Sequence, residues 1–323
     1  MPLYGLPEAG WAVTPTGVPV VHYLILAHNK PDLLHDLITA LRDSDPQAHV
    51  SVFNGGRDRR FFLDGSAPVC PRSRRLTYGN LTPFHLEGMQ WVLETDPDFD
   101  YLVTLDSDVL PLRSGLPAYL AENAAIGYYG VRLQPAPTWE GWPNGPTIAE
   151  LSWTWSRRWQ PLLKVDSAMW CFNPCQIFSR ETVRGIMAIP ELAAIKRQAY
   201  GSQIWAIEEV VLPSLASRVA GRSEPLPGGA AVDWKAHSPL EIETFAANPE
   251  VFFLHRVTME IDAADRLAAH AVRRGLPIPQ ELRGVPAPAA NPQRSDLPPV
   301  WSPARWRSSA RYRLRPLLLK YRG

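Results

Sequence analysis

Cysteine is scarce: the 323-residue chain has three, Cys70, Cys171 and Cys175. So odd and sparse a set does not make a disulfide framework. The last two, in "CFNPC", lack a second Cys/His pair at the spacing a structural zinc site uses. Packed free thiols are the expectation. Long apolar runs are missing too. The longest early one, "VPVVHYLILAH", falls far short of the roughly 20 residues that span a bilayer. Near the start, no basic segment leads into an apolar core and a small-residue cleavage site, which argues against a secretory signal. No G-x-G-x-x-G follows the first apolar run, so the dinucleotide fingerprint is absent. Internal repeats are absent as well. These absences predict a soluble chain of a reducing, cytoplasmic compartment.

What is present is a large apolar fraction, 46%, enough for a substantial core. Net charge is only +1, but it is unevenly spread. From Ala304 onward the chain holds seven basic residues and no acidic one, which leaves 26 basic against 32 acidic residues before it. An acidic body with a basic tail places any membrane-surface contact or self-association in that tail. A groove-wide basic field is missing elsewhere, so nucleic acid is not expected as a partner. The Ala, Arg and Pro bias fits a GC-rich bacterial genome.

Strand and helix patterns alternate. Val20–Leu26 reads as a strand buried on both faces, and "AHNKPD" follows it. Pro31 then opens a helix with Leu33, Leu34, Leu37, Ile38 and Leu41 on one face. "HVSVFNGG" gives a second strand, so the chain opens β-α-β, a parallel pair with a right-handed crossover. A helix from Thr82 to about Glu94, capped by Thr82, precedes the strand Tyr101–Leu105. "IGYYGVRL" is a further strand, and "CQIFSRETVRGIMAI" a strand that turns into a helix at Ser179. "EEVVLPSLASRVAG" is a helix begun or interrupted by Pro213. "EVFFLHRV" is a late strand. "IDAADRLAAHAVRRG" is a helix with Ile261, Ala264, Leu267, Ala268, Ala271 and Val272 inward. Residues 281–323 form a Pro-rich linker and the basic tail. The pattern predicts an α/β fold: a mainly parallel twisted sheet with helices on both faces.

In such sheets ligands bind beyond the carboxyl ends of the strands. "AHNK", "NGGRD" and "DSD" all fall at those ends, so they are expected to converge. Asp106 and Asp108 repel each other unless a cation sits between them. A hard divalent ion, Mn²⁺ or Mg²⁺, accepts such oxygen ligands and shares its shell with phosphate oxygens. The competing reading is a helix cap by Ser107 or Asp108.

Five blocks, in order, then carry a family resemblance: "YLILAHNKPDLLHDLITAL", "LTYGNLTPFHLEGMQWVLETDPDFDYLVTLDSDVLPLRS", "CQIFSRETVRGIM", "IEEVVLPSL" and "EVFFLHR". Over roughly residues 20–260 they resemble glycosyltransferases of the GT-A fold, especially the core-2/I-branching enzymes (glycosyltransferase family 14). The resemblance implies a domain over 1–280, its donor half about 18–130 and its acceptor half about 131–280. It implies an inverting sugar transfer from a nucleotide-sugar, a UDP-sugar first, to a hydroxyl of a glycan or small-molecule acceptor. Glu209 falls on the catalytic base, Glu208 on the acid before it, and His255 and Arg256 on the basic pair at the diphosphate. Ala27 and His28 would lie near base and ribose, with Asn54, Gly55 and Asp58 at the edge of the base. Asp106 and Ser107 would face the donor, and Asp106 and Asp108 a metal. The branching enzymes have Ser-Gly where this chain has "DSD" and work without metal, so metal use does not carry over from them.

Six of the twelve tryptophans lie at 139, 142, 153, 155, 159 and 170. Trp139 and Trp142, among Pro and Gly, are candidate acceptor platforms, with Asp166 as an acceptor contact. Two other functions compete: a sugar-phosphate nucleotidyltransferase, which usually opens with a Gly-rich basic loop missing here, and a non-catalytic glycan- or membrane-binding module.

Overall fold

An almost unbroken apolar run forms strand β1 (Val21–Ala27), every residue of it buried. The computed structural model describes residues 17–62, 64–77, 79–135, 155–202 and 204–288. Trp139, Trp142 and the basic tail lie outside the described residues.

Pro31 fixes the first turn of α1 (Pro31–Ser44), and its five apolar positions named above are all buried. The chain then follows β2 (His49–Asn54), α2 (Thr82–Thr95), β3 (Tyr101–Asp106), β4 (Val109–Pro111), α3 (Leu116–Glu122), β5 (Tyr128–Pro135), β6 (Met169–Ser179), α4 (Arg180–Met187), α5 (Leu192–Tyr200), α6 (Glu208–Val219), β7 (Ser223–Pro225), α7 (Pro239–Ala247), β8 (Phe253–His255) and α8 (Ala264–Arg273). Six strands form one sheet in the order β2-β1-β3-β6-β5-β7. β6 runs antiparallel to both of its neighbours, while the other pairings are parallel. The architecture is the expected α/β one, mainly parallel with one reversed strand. Val21, Tyr23 and Ile25 enter one core cluster and Leu24 and Leu26 the other, so helices cover both faces.

Ser179 does cap α4, its Oγ accepting the Thr182 N–H at 3.2 Å. Thr82 is not a cap: Leu81 holds that position and Thr82 lies inside the helix. Pro213 neither begins nor ends α6, which starts at Glu208 and runs through it. Ile261 and Leu267 are exposed rather than inward. Asp265 and Arg266 take the buried face of α8 instead, because the Arg266 guanidinium pairs with Asp36 on α1 at 2.5 Å. All three cysteines are free and buried. Among the described residues no helix is long and apolar enough to cross a membrane.

Candidate functional site

β3 ends at Asp106, and the chain turns through Ser107 and Asp108 into β4. β4 pairs antiparallel with β8 in a separate two-stranded sheet, Val109 opposite His255. That pairing brings the basic pair to the aspartates. Nε2 of His255 lies 3.4 Å from Asp108 Oδ1, and Nε of Arg256 lies 3.6 Å from Asp108 Oδ2.

The third contributor is β6. β3 pairs only its final stretch, Gln176–Ser179, so the preceding residues project past the end of β3. Phe172, Asn173 and Pro174 share a cavity wall with Asp106. The first turn of α6 supplies Glu208 and Glu209 to the same wall, both almost fully buried. Glu208 Oε2 accepts the Leu81 N–H at 3.0 Å. Glu209 accepts Trp170 Nε1–H at 3.3 Å and the Asn173 N–H at 3.4 Å.

These groups line one cavity of about 870 Å³, together with His28, Trp205, Trp234 and Met259. Its size suits a nucleotide-sized ligand. Of the residues named from sequence, it gathers His28, Asp106, Ser107, Asp108, Glu208, Glu209, His255 and Arg256. Ala27, Asn54, Gly55, Asp58 and Asp166 are not in its wall. Ala27 is fully buried at the end of β1, its carbonyl accepting the Gly55 N–H at 2.8 Å. The Asn54 side chain donates to the Asp58 carbonyl and accepts from the Gly56 N–H, so it shapes its own turn. Gly55 is needed for packing: a Cβ there would stand 2.6 Å from Cε1 of His28. Asp166 is exposed in the bend before β6.

Sequence reasoning did not single out Asn173, Phe172, Trp205 or Trp234. Trp205 and Trp234 stack with centroids 5.8 Å apart, and Phe172 lies 4.6 Å from Trp234 and 5.6 Å from the His255 ring. An aromatic wall thus runs from the α6 side of the cavity to the aspartates. Its only sequence signal was the place of Trp205, three residues before Glu208.

Burial of so many carboxyls sets their charge. Burial pushes Glu208 up to about 7, against the Leu81 N–H that holds its charged form and with Asp106 adding repulsion. Glu209 is pushed well above the usual range, by burial first and then by Glu208. Asp108 goes the other way. Burial would raise it, but His255 and Arg256 together bring it below the usual carboxylate value. Burial disfavours a charge on His255, yet Asp108, Asp106 and the backbone of Asp233 together offset this and raise its pKa.

Asp106, Asp108 and His255 each present a ligand atom, all within 4.8 Å of one another. Two carboxylates and an imidazole on an open cavity fit Mn²⁺ in ligand type, with positions left for phosphate oxygens.

No family model and no curated protein matches the chain. Among solved structures, the galactosyltransferase LgtC in complex with donor and acceptor sugar analogs is similar over 81% of this chain and 99% of that chain, at 12% identity and a TM-score of 0.40. An active-site mutant of LgtC is similar over 80% and 84%, at 12% identity and a TM-score of 0.38.

Proposed function

We propose that the chain is a glycosyltransferase of the GT-A kind, moving a sugar from a nucleoside-diphosphate donor to a hydroxyl of a glycan or small-molecule acceptor. One observation carries this reading: a single cavity joins the aspartates after β3, the basic pair after β8 and the buried glutamates of α6.

Each group has a task in that reaction. The diphosphate leaves with growing negative charge, and Arg256 and His255 face the place where that charge would sit. Asp106 and Asp108, with His255, would hold a divalent ion. When bound, that ion would neutralise the leaving diphosphate. The acceptor oxygen attacks the anomeric carbon, the carbon–oxygen bond to the diphosphate breaks, and the hydroxyl proton passes to a carboxylate. The resemblance places that base on Glu209 with Glu208 beside it. Two adjacent buried carboxyls share their protons unequally, and Glu208, pushed up to about 7, is the member that loses its proton first as pH rises. We assign the proton to the pair with Glu208 as its ionised acceptor, and Glu209 as the neutral partner that orients Trp170 and Asn173. One base with in-line attack inverts the anomeric centre. The wall of Trp205, Trp234 and Phe172 packs against the C–H faces of a sugar ring.

The test is calorimetric titration with UDP, GDP and dTDP, each in Mn²⁺ and again in EDTA, for the wild type and Asp108→Ala. Tight binding of one nucleotide that is lost in EDTA and in Asp108→Ala supports the metal-bearing donor site and selects the donor sugars to assay. Binding that survives EDTA assigns the diphosphate to Arg256 and His255 alone. Failure of every nucleotide to bind overturns the transferase reading in favour of a non-catalytic module.

A further inference from the structure

A second cluster stands at the opposite end of the sheet. His22 is the second residue of β1 and His49 the first of β2, and the parallel register sets them side by side. Asp96, which ends α2 just before β3, meets both. Nδ1 of His22 lies 2.5 Å and Nδ1 of His49 2.6 Å from the same carboxylate oxygen, Oδ2. The proposed transfer uses none of these residues. They flank the starts of the parallel strands, whereas Asp106 ends β3 and His28 follows β1.

We infer that His22, His49 and Asp96 form a Zn²⁺ site that staples the starts of β1 and β2 to the end of α2. Two imidazole nitrogens and one carboxylate oxygen, all within 4.8 Å of one another, are a donor set zinc takes readily. The site is also built behind its ligands. Nε2 of His22 lies 2.7 Å from the hydroxyl of Ser51, a buried residue of β2. When that hydroxyl accepts Nε2–H, the ring is held with its Nδ1 lone pair toward Asp96, the arrangement that outer-shell partners of zinc-binding histidines provide. His22 is buried, while the His49 side chain is 47% exposed, so ions enter and a water completes the shell from the His49 side.

Donor atoms around tetrahedral zinc stand about 3.3 Å apart, given Zn–N and Zn–O bonds of about 2.0–2.1 Å. The nitrogens therefore part from Oδ2 by less than about 1 Å to admit the ion, which rotation of the exposed His49 ring supplies for its own share. This N₂O set suits zinc and is poor for magnesium, whereas the carboxylate-rich set in the cavity also accepts manganese or magnesium.

The experiment takes the full chain, stripped of metal with EDTA and dialysed, and titrates it with Zn²⁺ by calorimetry and with Co²⁺ by visible absorption. The expected result is the absorption of tetrahedral Co²⁺ and a raised melting temperature in Zn²⁺, with any second equivalent, held in the cavity, lost in Asp108→Asn. His49→Ala, changed at an exposed ring, should weaken binding at the tetrahedral site by about tenfold or more. Asp108→Asn should keep the tetrahedral Co²⁺ spectrum and one equivalent of zinc. The site is overturned if the wild type shows no tetrahedral Co²⁺ spectrum, if His49→Ala binds as tightly as the wild type, or if Asp108→Asn abolishes the signal. Metal-free melting curves establish that His49→Ala is folded, and His49→Gln repeats the test should it not be. Failure here leaves nucleotide binding in the cavity intact, so the two proposals are judged separately.

Discussion

His255 approaches Asp108 from one side, Nε2 to Oδ1 at 3.4 Å, because β4 and β8 pair with Val109 opposite His255. Arg256 approaches the other oxygen of the same carboxylate at 3.6 Å. The aspartate that would bind a cation already has two basic neighbours. With a divalent ion bound, His255 would join Asp106 and Asp108 in holding it and Arg256 would be left to face the diphosphate, whereas without the ion both basic residues would be available to that charge.

That geometry sets the order of effects at the diphosphate. Arg256→Ala should weaken binding of the preferred nucleoside diphosphate in EDTA by on the order of tenfold or more, the loss of a charge-assisted contact. With Mn²⁺ present the loss should be smaller, since the ion then carries part of the charge. Calorimetry on both proteins in both buffers decides it. An equal loss in the two buffers would mean that metal and arginine act on separate parts of the ligand.

The glutamate pair predicts a pH profile. A base must be ionised to act, and burial has moved Glu208 up to about 7. Log kcat/KM should therefore fall with unit slope as pH drops through that value. Glu208→Gln should lower kcat by roughly 10²–10⁴-fold, the usual loss when a general base is removed. Glu209→Gln keeps the neutral hydrogen-bonding shape and should cost far less. The reverse ranking would return the base to Glu209. In either case, NMR of the first-formed product reads the anomeric configuration, and retention would remove the single-base mechanism altogether.

Most of this cavity could be read from the chain, and the reason is periodicity. Buried strands ending in Asp, His or Gly announce themselves as apolar runs with a polar stop, so His28, Asp106 and Asp108 were found from position alone. Glu208, Glu209, His255 and Arg256 needed the family resemblance, since neighbouring acids on a helix start look like an ordinary dipole effect. Asn173 was invisible because it sits in mid-strand, and only the short overlap of β6 with β3 turns it into the cavity. Trp234 lies in a loop whose path no local rule dictates. The α8 face was misread in part: an apolar count favours Leu267 over Arg266, while the Arg266–Asp36 pair buries Arg266 and turns Leu267 out, with Ala268 inward as expected. By contrast, α7 carried a readable signal in Ser238-Pro-Leu-Glu241, whose capping box is fully formed.

Gly79 places Trp205 in the wall. It has a φ of +77°, and a Cβ on it would stand 2.0 Å from Cδ1 of the Trp205 ring. Gly79→Ala must therefore strain the backbone and displace the indole at once. A destabilisation of about 1–3 kcal/mol is expected from urea melts. Sugar binding should suffer further: acceptor KM should rise several-fold while Mn²⁺-dependent nucleotide binding stays within about twofold. A nucleotide affinity that falls along with acceptor affinity would place the nucleotide base, rather than a sugar, against Trp205.

His85 supplies a stability prediction that reaches the site through one hydrogen bond. Its ring is fully buried in α2, with Nε2 2.7 Å from Asn173 Oδ1 and Nδ1 without a hydrogen-bond partner among the described residues. Burial lowers its pKa from 6.5 to about 4, with the Asn173 bond opposing only in part. The folded value lies below the unfolded one. As pH falls below 6.5 the unfolded chain takes up a proton that the folded chain refuses, so stability drains away until the folded ring protonates near 4. Complete passage through that window should cost about 3 kcal/mol at this residue. Other histidines and acids titrate there too, so the informative quantity is a difference. Urea melts between pH 7.5 and 4 should show a steeper loss for the wild type than for His85→Gln, which keeps a donor for Asn173 but has no proton to refuse. Parallel slopes would show that His85 is not the source of the acid sensitivity. Asn173 donates its backbone N–H to Glu209. The residue that His85 holds is therefore also the one that holds Glu209, so the acid sensitivity of the fold is built next to the glutamate pair.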